Sequence, residues 1–496
     1  MPDVVITGQP LAPGDVLAVA RGGARVALAP QALDNLARGR EIVDRLARSE
    51  QPAYGVSTGF GALATRHIPA ESRAQLQRSL VRSHAAGMGP AVEDEVVRAM
   101  MLLRLRTLCT GLTGVRPVVA ETLAALVNSG AVPTVPEHGS LGCSGDLAPL
   151  AAVALALMGE GDAAVPEPVV LEEKEGLALI NGTDGMLGML VLACADLASL
   201  LAHLDVAAAM SVEALLGTDR VFAADLQALR PHPGQAVSAA NVRAVLDGSA
   251  IVASHRGPDC TRVQDAYSLR CAPQVHGAAR DTVAFAASVA ERELAAAIDN
   301  PVITVDGRVE SNGNFHGAPV GYVLDFLAIA VADVASMSER RTDRFLDRAR
   351  NHGLPPFLAD DPGVDSGLMI AQYSSAGIVA ELKRLAMPAS VDSIPSSAMQ
   401  EDHVSMGWHA GRKLRRAVDG LTQVLGIELL TAARALDLRA PLRPAATTSA
   451  VRDLVRGSVS GPGSDRHLAP EIEAAVGLVR SGAVVAVAEQ VAGRLP

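Results

Sequence analysis

Hydrophobic positions along the chain follow two textures. Up to about residue 200, short apolar runs alternate with Gly- and Pro-rich loops; beyond it, long runs with helical spacing dominate. Residues 16–28 place two short apolar runs on either side of Gly22-Gly23, which reads as a hairpin of two strands. Helical periodicity recurs at 31–48, 70–85, 92–110 and 115–129. Residues 186–217 are apolar around most of the cylinder, predicting a helix deep in a bundle. Further long helices are predicted at 276–298, 318–350 and 403–436, with shorter ones at 374–387 and 469–493. Within 325–345, Phe326, Ile329, Ala330, Val334, Met337 and Arg341 keep helical spacing. The polar end at 338–341 predicts emergence into solvent or an interface, with Arg340-Arg341 as a salt-bridge element. No repeat of fixed period is present, and 133–142, 161–168, 352–365 and 457–463 read as loops. The expected architecture is mainly α: a loop-rich, mixed N-terminal lobe over 1–200 and a bundle of long helices over 201–496.

Composition narrows this picture. The chain has 496 residues, a net charge of −11, 49% hydrophobic residues and only 2% aromatics, so its core must be built from Ala, Leu and Val. Such side chains suit close helix packing and argue against a β-sandwich or propeller. The acidic balance and the scarcity of stacking aromatics exclude a general nucleic-acid binder. Residues 1–8 carry no basic stretch followed by an apolar run, so no secretory signal is read. Apolar runs at 147–158 and 186–194 are broken by Gly159-Glu160 and Asp196, too early to span a bilayer. Cys109, Cys143, Cys194, Cys260 and Cys271 are widely spaced and form no CxxC pair, which fits a reducing compartment and excludes an ordinary zinc module. The expectation is a cytosolic protein with no nucleic-acid or membrane partner.

Two polar segments stand out against this background. Tyr54, one of four tyrosines, sits among Gly55, Gly59 and Gly61 in a loop able to turn tightly. It reads either as a half-buried loop residue or as a phenol held for chemistry. The GxGxxA match at 59–64 lacks the βαβ pattern that a dinucleotide fingerprint needs. The second segment, Glu137-His138-Gly139-Ser140-Leu141-Gly142-Cys143-Ser144-Gly145-Asp146, crowds small residues at the start of a buried helix. Its register fails the GxSxG nucleophile elbow. Three readings stay open: a Cys143–His138 nucleophile, a Gly-rich helix start capped by Asp146, and a backbone cyclisation. In the last, the Gly145 nitrogen attacks the Cys143 carbonyl and Ser144 becomes an exocyclic methylene. Gly is needed at the attacking position because a Cβ would obstruct the compressed turn.

Residues 139–150 resemble the signature of the aromatic amino acid ammonia-lyases, which carry a methylidene-imidazolone (MIO) prosthetic group. Residues 54–61, 79–87, 181–183, 264–271, 313–316 and 400–406 resemble, in the same order, segments of the histidine-specific branch. The resemblance implies an ammonia-lyase/fumarase-like fold and a homotetramer whose subunits share active sites. It also implies elimination of ammonia from L-histidine to trans-urocanate, the first step of histidine breakdown. Cys143, Ser144 and Gly145 would form the MIO electrophile, with no external cofactor and no metal. Tyr54 would be the general base and Tyr267 would assist at the electrophile. Arg270 would hold the substrate carboxylate, Asn181 and Gln264 would bind around carboxylate and amine, and Phe315 would pack beside the ring.

His84 and Glu401 favour histidine as substrate, because a buried Glu facing a benzene ring would lose solvation without compensation. A tyrosine or phenylalanine ammonia-lyase, or an aminomutase, is the nearest alternative, and an inactive helical scaffold the distant one. The chain departs from the family pattern at Val56-Ser57, at Cys143 where Ala is commoner, at Asp184 and at Met399. His138, His276, His316 and His403 carry no assigned step. Glu401, Asp402 and His403, adjacent on an expected helix, would point to different faces and make no metal site.

Overall fold

The computed structural model describes residues 2–49, 55–59, 66–257, 260 and 263–496. The fold is mainly α, with three two-stranded sheets among the described residues. Contacts divide the chain into two units that are interleaved in sequence. The first comprises Met1–Ala193, Ala286–Asp325 and Pro388–Arg412; the second comprises Cys194–Phe285, Phe326–Met387 and Lys413–Pro496.

The first unit opens differently from the expected hairpin. Pro13–Ala20 is a helix, and Val26–Leu28 is a strand that pairs in parallel with Val4–Ile6, Val4 opposite Val26 and Ile6 opposite Leu28. Pro13 opens the helix, the Asp15 carboxylate accepts from the Ala12 N–H at 2.9 Å, and Val16, Val19 and Ala20 form its buried face. That spacing is i, i+3, i+4 rather than strand alternation, and a parallel pair needs such a crossover. The buried centre of this unit is Asp94–Leu108, in which every residue from 99 to 108 is buried, Arg104 and Arg106 included. Helices Pro13–Ala20 and Pro117–Ser129 pack against it, while Leu147–Leu157 packs with Arg73–His84 and Glu175–Ile180.

The second unit holds the larger part of four long helices, Asp184–Ala214, Ala272–Ala295, Ala318–Leu346 and Gly407–Asp437. Two of its buried clusters are built on charge pairs. Arg341 Nε and Nη2 donate to Glu428 at 2.5 and 2.9 Å, and the Ser211 and Ser338 hydroxyls donate to the same carboxylate. Ser338, Glu339 and Arg341 are therefore buried, and only Arg340 of this polar end is exposed, which corrects the expected emergence into solvent. Arg341 is a salt-bridge element inside the unit. Asp205 similarly accepts from Arg280 at 2.6 Å, Asn241 at 2.9 Å and His276 Nδ1 at 2.8 Å.

Two helix limits also move. The expected 469–493 helix is two, Ala469–Arg480 and Ala483–Ala492, because Gly482 adopts φ +76°. The helix expected from 403 begins at Gly407, so the argument from helical faces does not apply to residues 401–403. By length and hydropathy, Glu175–Ala214 and Ala318–Leu346 each contain a stretch able to cross a bilayer, against the reading of interrupted apolar runs; 72% and 61% of those stretches are buried inside the protein.

Candidate active site

The 139–146 segment is a turn compressed from two sides within the first unit. Gly145 has φ +76°, and a Cβ added there would lie 2.2 Å from the Gly182 carbonyl oxygen. That oxygen accepts from the Asp146 N–H at 2.7 Å. On the other side, Gly142 has φ +64°, and a Cβ would lie 2.2 Å from Ser405 Oγ, whose hydroxyl donates to the Gly142 carbonyl at 2.8 Å. The Met406 N–H donates to the Leu141 carbonyl at 2.9 Å, fixing the same strip of chain. Any larger residue at 142 or 145 would force these neighbours apart.

Asp146 occupies the cap position of Leu147–Leu157, but its side chain serves another helix. Its Oδ2 accepts from the Gly185 and Met186 N–H groups at 3.0 and 2.9 Å, at the start of Asp184–Ala214, and its Oδ1 accepts from Ser140 Oγ at 2.9 Å. Burial pushes its carboxyl up to about 7, opposed by these hydrogen bonds. The cap reading was right in kind and wrong in target.

Ser144 donates its hydroxyl to Asn181 Oδ1 at 3.1 Å, and Asn181 Nδ2 donates to the Asn300 carbonyl at 2.9 Å. The Asn300 side chain accepts from Asn312 N–H at 3.0 Å and Ser311 Oγ at 3.1 Å, anchoring the 311–316 strip that carries half-buried Phe315. Cys143 is buried among Leu141, Leu147, Ala389, Val404 and Met406. Burial, and then the nearby Glu401 carboxylate, push its thiol up to about 12. Both effects disfavour the thiolate and so weigh against the Cys143–His138 reading. Glu401 is half-buried and accepts from Ser396 Oγ at 2.9 Å.

His84 ends the helix Arg73–His84, with Nδ1 2.8 Å from the Leu80 carbonyl. A carbonyl can only accept, so Nδ1 carries the hydrogen and Nε2 of the neutral ring is an acceptor. His316 and His403 stack, with ring centroids 5.3 Å apart and Nε2 of His316 3.2 Å from Nδ1 of His403. Tyr54 lies outside the described residues. The loop after it is anchored, since a Cβ on Gly55 would meet Pro301 Cδ at 3.0 Å and Val56 and Ser57 are fully buried.

Gln264, Tyr267 and Arg270 are brought together in the second unit. The Arg270 guanidinium lies 4.5 Å from the centre of the Tyr267 ring, and its Nε donates to the Asp265 carbonyl at 2.9 Å. Tyr267 is 70% exposed. Gln264 and Arg270 line a cavity of about 480 Å³ with His255 and Arg256. The residues that sequence reading missed are Asn300, Ser396 and Arg104: Arg104 acts on Asp184 and the Asn300 carbonyl on Asn181, both far along the chain, whereas Ser396 serves Glu401 five residues on.

The aromatic amino acid lyase family profile matches residues 11–457. The chain belongs to that family. It is 64% identical to a histidine ammonia-lyase of Streptomyces coelicolor, with 100% of both chains covered. A solved tyrosine aminomutase from Streptomyces globisporus is 36% identical with a TM-score of 0.93, covering 100% of each chain. A histidine ammonia-lyase from Trypanosoma cruzi is 36% identical with a TM-score of 0.89, covering 99% of this chain and 95% of the other. The lyase fold expected from the sequence is thus the fold found, and Asp184, a departure from the family pattern, pairs with Arg104.

Proposed function

We propose that this chain is an L-histidine ammonia-lyase that converts L-histidine to trans-urocanate and ammonia, with an MIO group made from Cys143, Ser144 and Gly145. The observation that carries this reading is the compressed turn, where the Gly182 carbonyl fills the space a Gly145 Cβ would need and Asn181 holds the Ser144 hydroxyl. These residues fit the group, because cyclisation needs a side-chain-free attacking nitrogen and a positioned serine. The ring, once closed, supplies the electrophilic methylene that serves as electron sink for this elimination.

The other residues bind, orient and move protons. Arg270 grips the substrate carboxylate through its planar fork, and Gln264 and Asn181 bind around carboxylate and amine. Tyr54 takes the β-proton, for which its phenol must be brought well below its ordinary value near 10. Tyr267 assists at the electrophile, and Phe315 shields it from water. His84 offers Nε2 as an acceptor for the imidazole N–H, and Glu401 offers a carboxylate; neither has a partner on a benzene ring. The 64% identity to a histidine ammonia-lyase over the whole chain supports the same substrate.

The protein works as a cytosolic homotetramer whose sites draw on more than one subunit. Half-exposed Phe285, Phe326 and Ile329, which line an apolar groove of about 560 Å³ in the second unit, support burial against another copy. The test incubates purified protein separately with L-histidine, L-tyrosine and L-phenylalanine, following conjugated acrylate absorbance and free ammonia together. Both signals rise with histidine, and Ser144→Ala abolishes them. Ammonia from tyrosine or phenylalanine instead would discard the His84 and Glu401 argument. Full turnover by Ser144→Ala would discard the MIO group.

A further inference from the structure

The position of Gly182, which compresses the turn at Gly145, is itself set by one buried cation. Arg104 lies on Asp94–Leu108 and is 1% exposed. Its Nε and Nη2 donate to Asp184 Oδ2 at 3.0 and 2.6 Å. Its Nη1 donates to the carbonyls of Ala178 at 3.0 Å, Asn181 at 3.3 Å and Ile298 at 3.4 Å, and its Nη2 also reaches Ile298 at 3.3 Å. A Cβ added to Gly182 would lie 1.7 Å from Arg104 Nη2, so the guanidinium occupies the space where a side chain at 182 would be.

A fully buried arginine is a costly way to fill a helix interface, since an apolar side chain of similar volume does so without desolvating a charge. What the apolar side chain lacks is a rigid fork of donors that fixes several acceptors at once. Here the acceptors include both flanks of the 181–183 loop: the Asn181 carbonyl before Gly182 and the Asp184 carboxylate after it. Between those two points the Gly182 carbonyl lies against Gly145, and the Asn181 side chain accepts from Ser144.

We propose that Arg104 is a positioning residue for closure of the Cys143-Ser144-Gly145 ring, acting as the anvil behind Gly182. The proposal rests on the MIO reading of that tripeptide. In the closure, the Gly145 nitrogen bonds to the Cys143 carbonyl carbon and its hydrogen passes to the carbonyl oxygen. That oxygen leaves as water with the Ser144 amide hydrogen, giving a C=N bond. Ser144 then loses its Cα hydrogen and its hydroxyl as a second water, and no oxidant is needed. Arg104 takes no part in these transfers; it holds the loop so that the Gly145 nitrogen stays within reach of the Cys143 carbon.

The test times ring closure by intact mass after a pulse of cell-free synthesis, since the closed chain is lighter by two water molecules. Arg104→Lys, Arg104→Met and Gly182→Ala are compared with wild type, each on its folded fraction as defined by circular dichroism and sedimentation. Arg98→Lys is the control: Arg98 is half-buried on the same helix and its Nε donates to the Val19 carbonyl at 3.0 Å. Closure slows at least about tenfold in the Arg104 and Gly182 variants, a modest barrier change, and is unchanged in Arg98→Lys. Wild-type closure in a folded Arg104→Lys, or equal slowing in Arg98→Lys, would overturn the proposal and leave the ring reading intact. A wild-type chain of full sequence mass would overturn the ring reading itself.

Discussion

At the scale of single residues, the candidate chemistry came from resemblance rather than from local physics. The Cys143-Ser144-Gly145 tripeptide, His84 and Glu401 were assigned because segments a few residues long resemble those of the family, since spacing alone does not reveal a ring closure. Asp146 shows the limit: it was read as a cap, yet the N–H groups it accepts belong to Gly185 and Met186, which only the fold brings near. The Cys143 thiol gives a residue-scale prediction. Its folded value is pushed up to about 12 from an ordinary 9.0, chiefly by burial. Between pH 9 and 12 the unfolded chain therefore releases this proton while the folded chain keeps it, so the stability linked to the thiol is intact below 9 and declines as pH rises through this window. The slope is at most about 1.4 kcal/mol per pH unit for one thiol. Urea midpoints from pH 8 to 10.5 are expected to fall less steeply for Cys143→Ala than for wild type; parallel slopes would show that the thiol ionises alike in both states.

At the scale of elements, periodic runs located the longest helices, whereas Pro233–Val245 and Ala446–Arg456 went unread along with several shorter ones. Where a run was short, as at Val16, Val19 and Ala20, apolar spacing was compatible with strand or helix, and the opening Pro13 with Asp15 decided the outcome. Where a run was long, its limits were set by backbone conformation rather than hydrophobicity. Gly482 is the clearest case, since it divides two helices whose apolar pattern continues across it. It sits at φ +76° and an added Cβ would meet nothing within 4 Å, so the effect of Gly482→Ala is conformational alone. About 1 kcal/mol of stability should be lost, read as a lower urea midpoint with an unchanged slope. A gain in stability would mean that the two helices can merge into one without loss.

At the scale of the whole molecule, the fold class was legible in the length of the helical runs and the near absence of aromatics. The partition was less so: residues 286–325 and 388–412 return to the first unit, and periodicity does not say which helix packs on which. Nor did it show that Ser338 and Arg341 face inward, because their partner Glu428 lies far along the chain. A core of small aliphatic side chains leaves helices interchangeable in packing, and buried charge pairs such as Arg341–Glu428 supply the register that such a core lacks. Arg341→Met strands the Glu428 carboxylate with only the Ser211 and Ser338 hydroxyls as donors, and should cost about 3–5 kcal/mol, the usual penalty for one half of a buried pair. Adding Glu428→Leu removes the stranded charge and leaves two unpartnered hydroxyls, so the double variant should recover most of that loss. Urea unfolding of the two single variants and the double variant closes the cycle. A double variant no more stable than Arg341→Met would mean that the pair holds the helices together by attraction, whereas recovery with more than one native-like state by NMR would assign it to register.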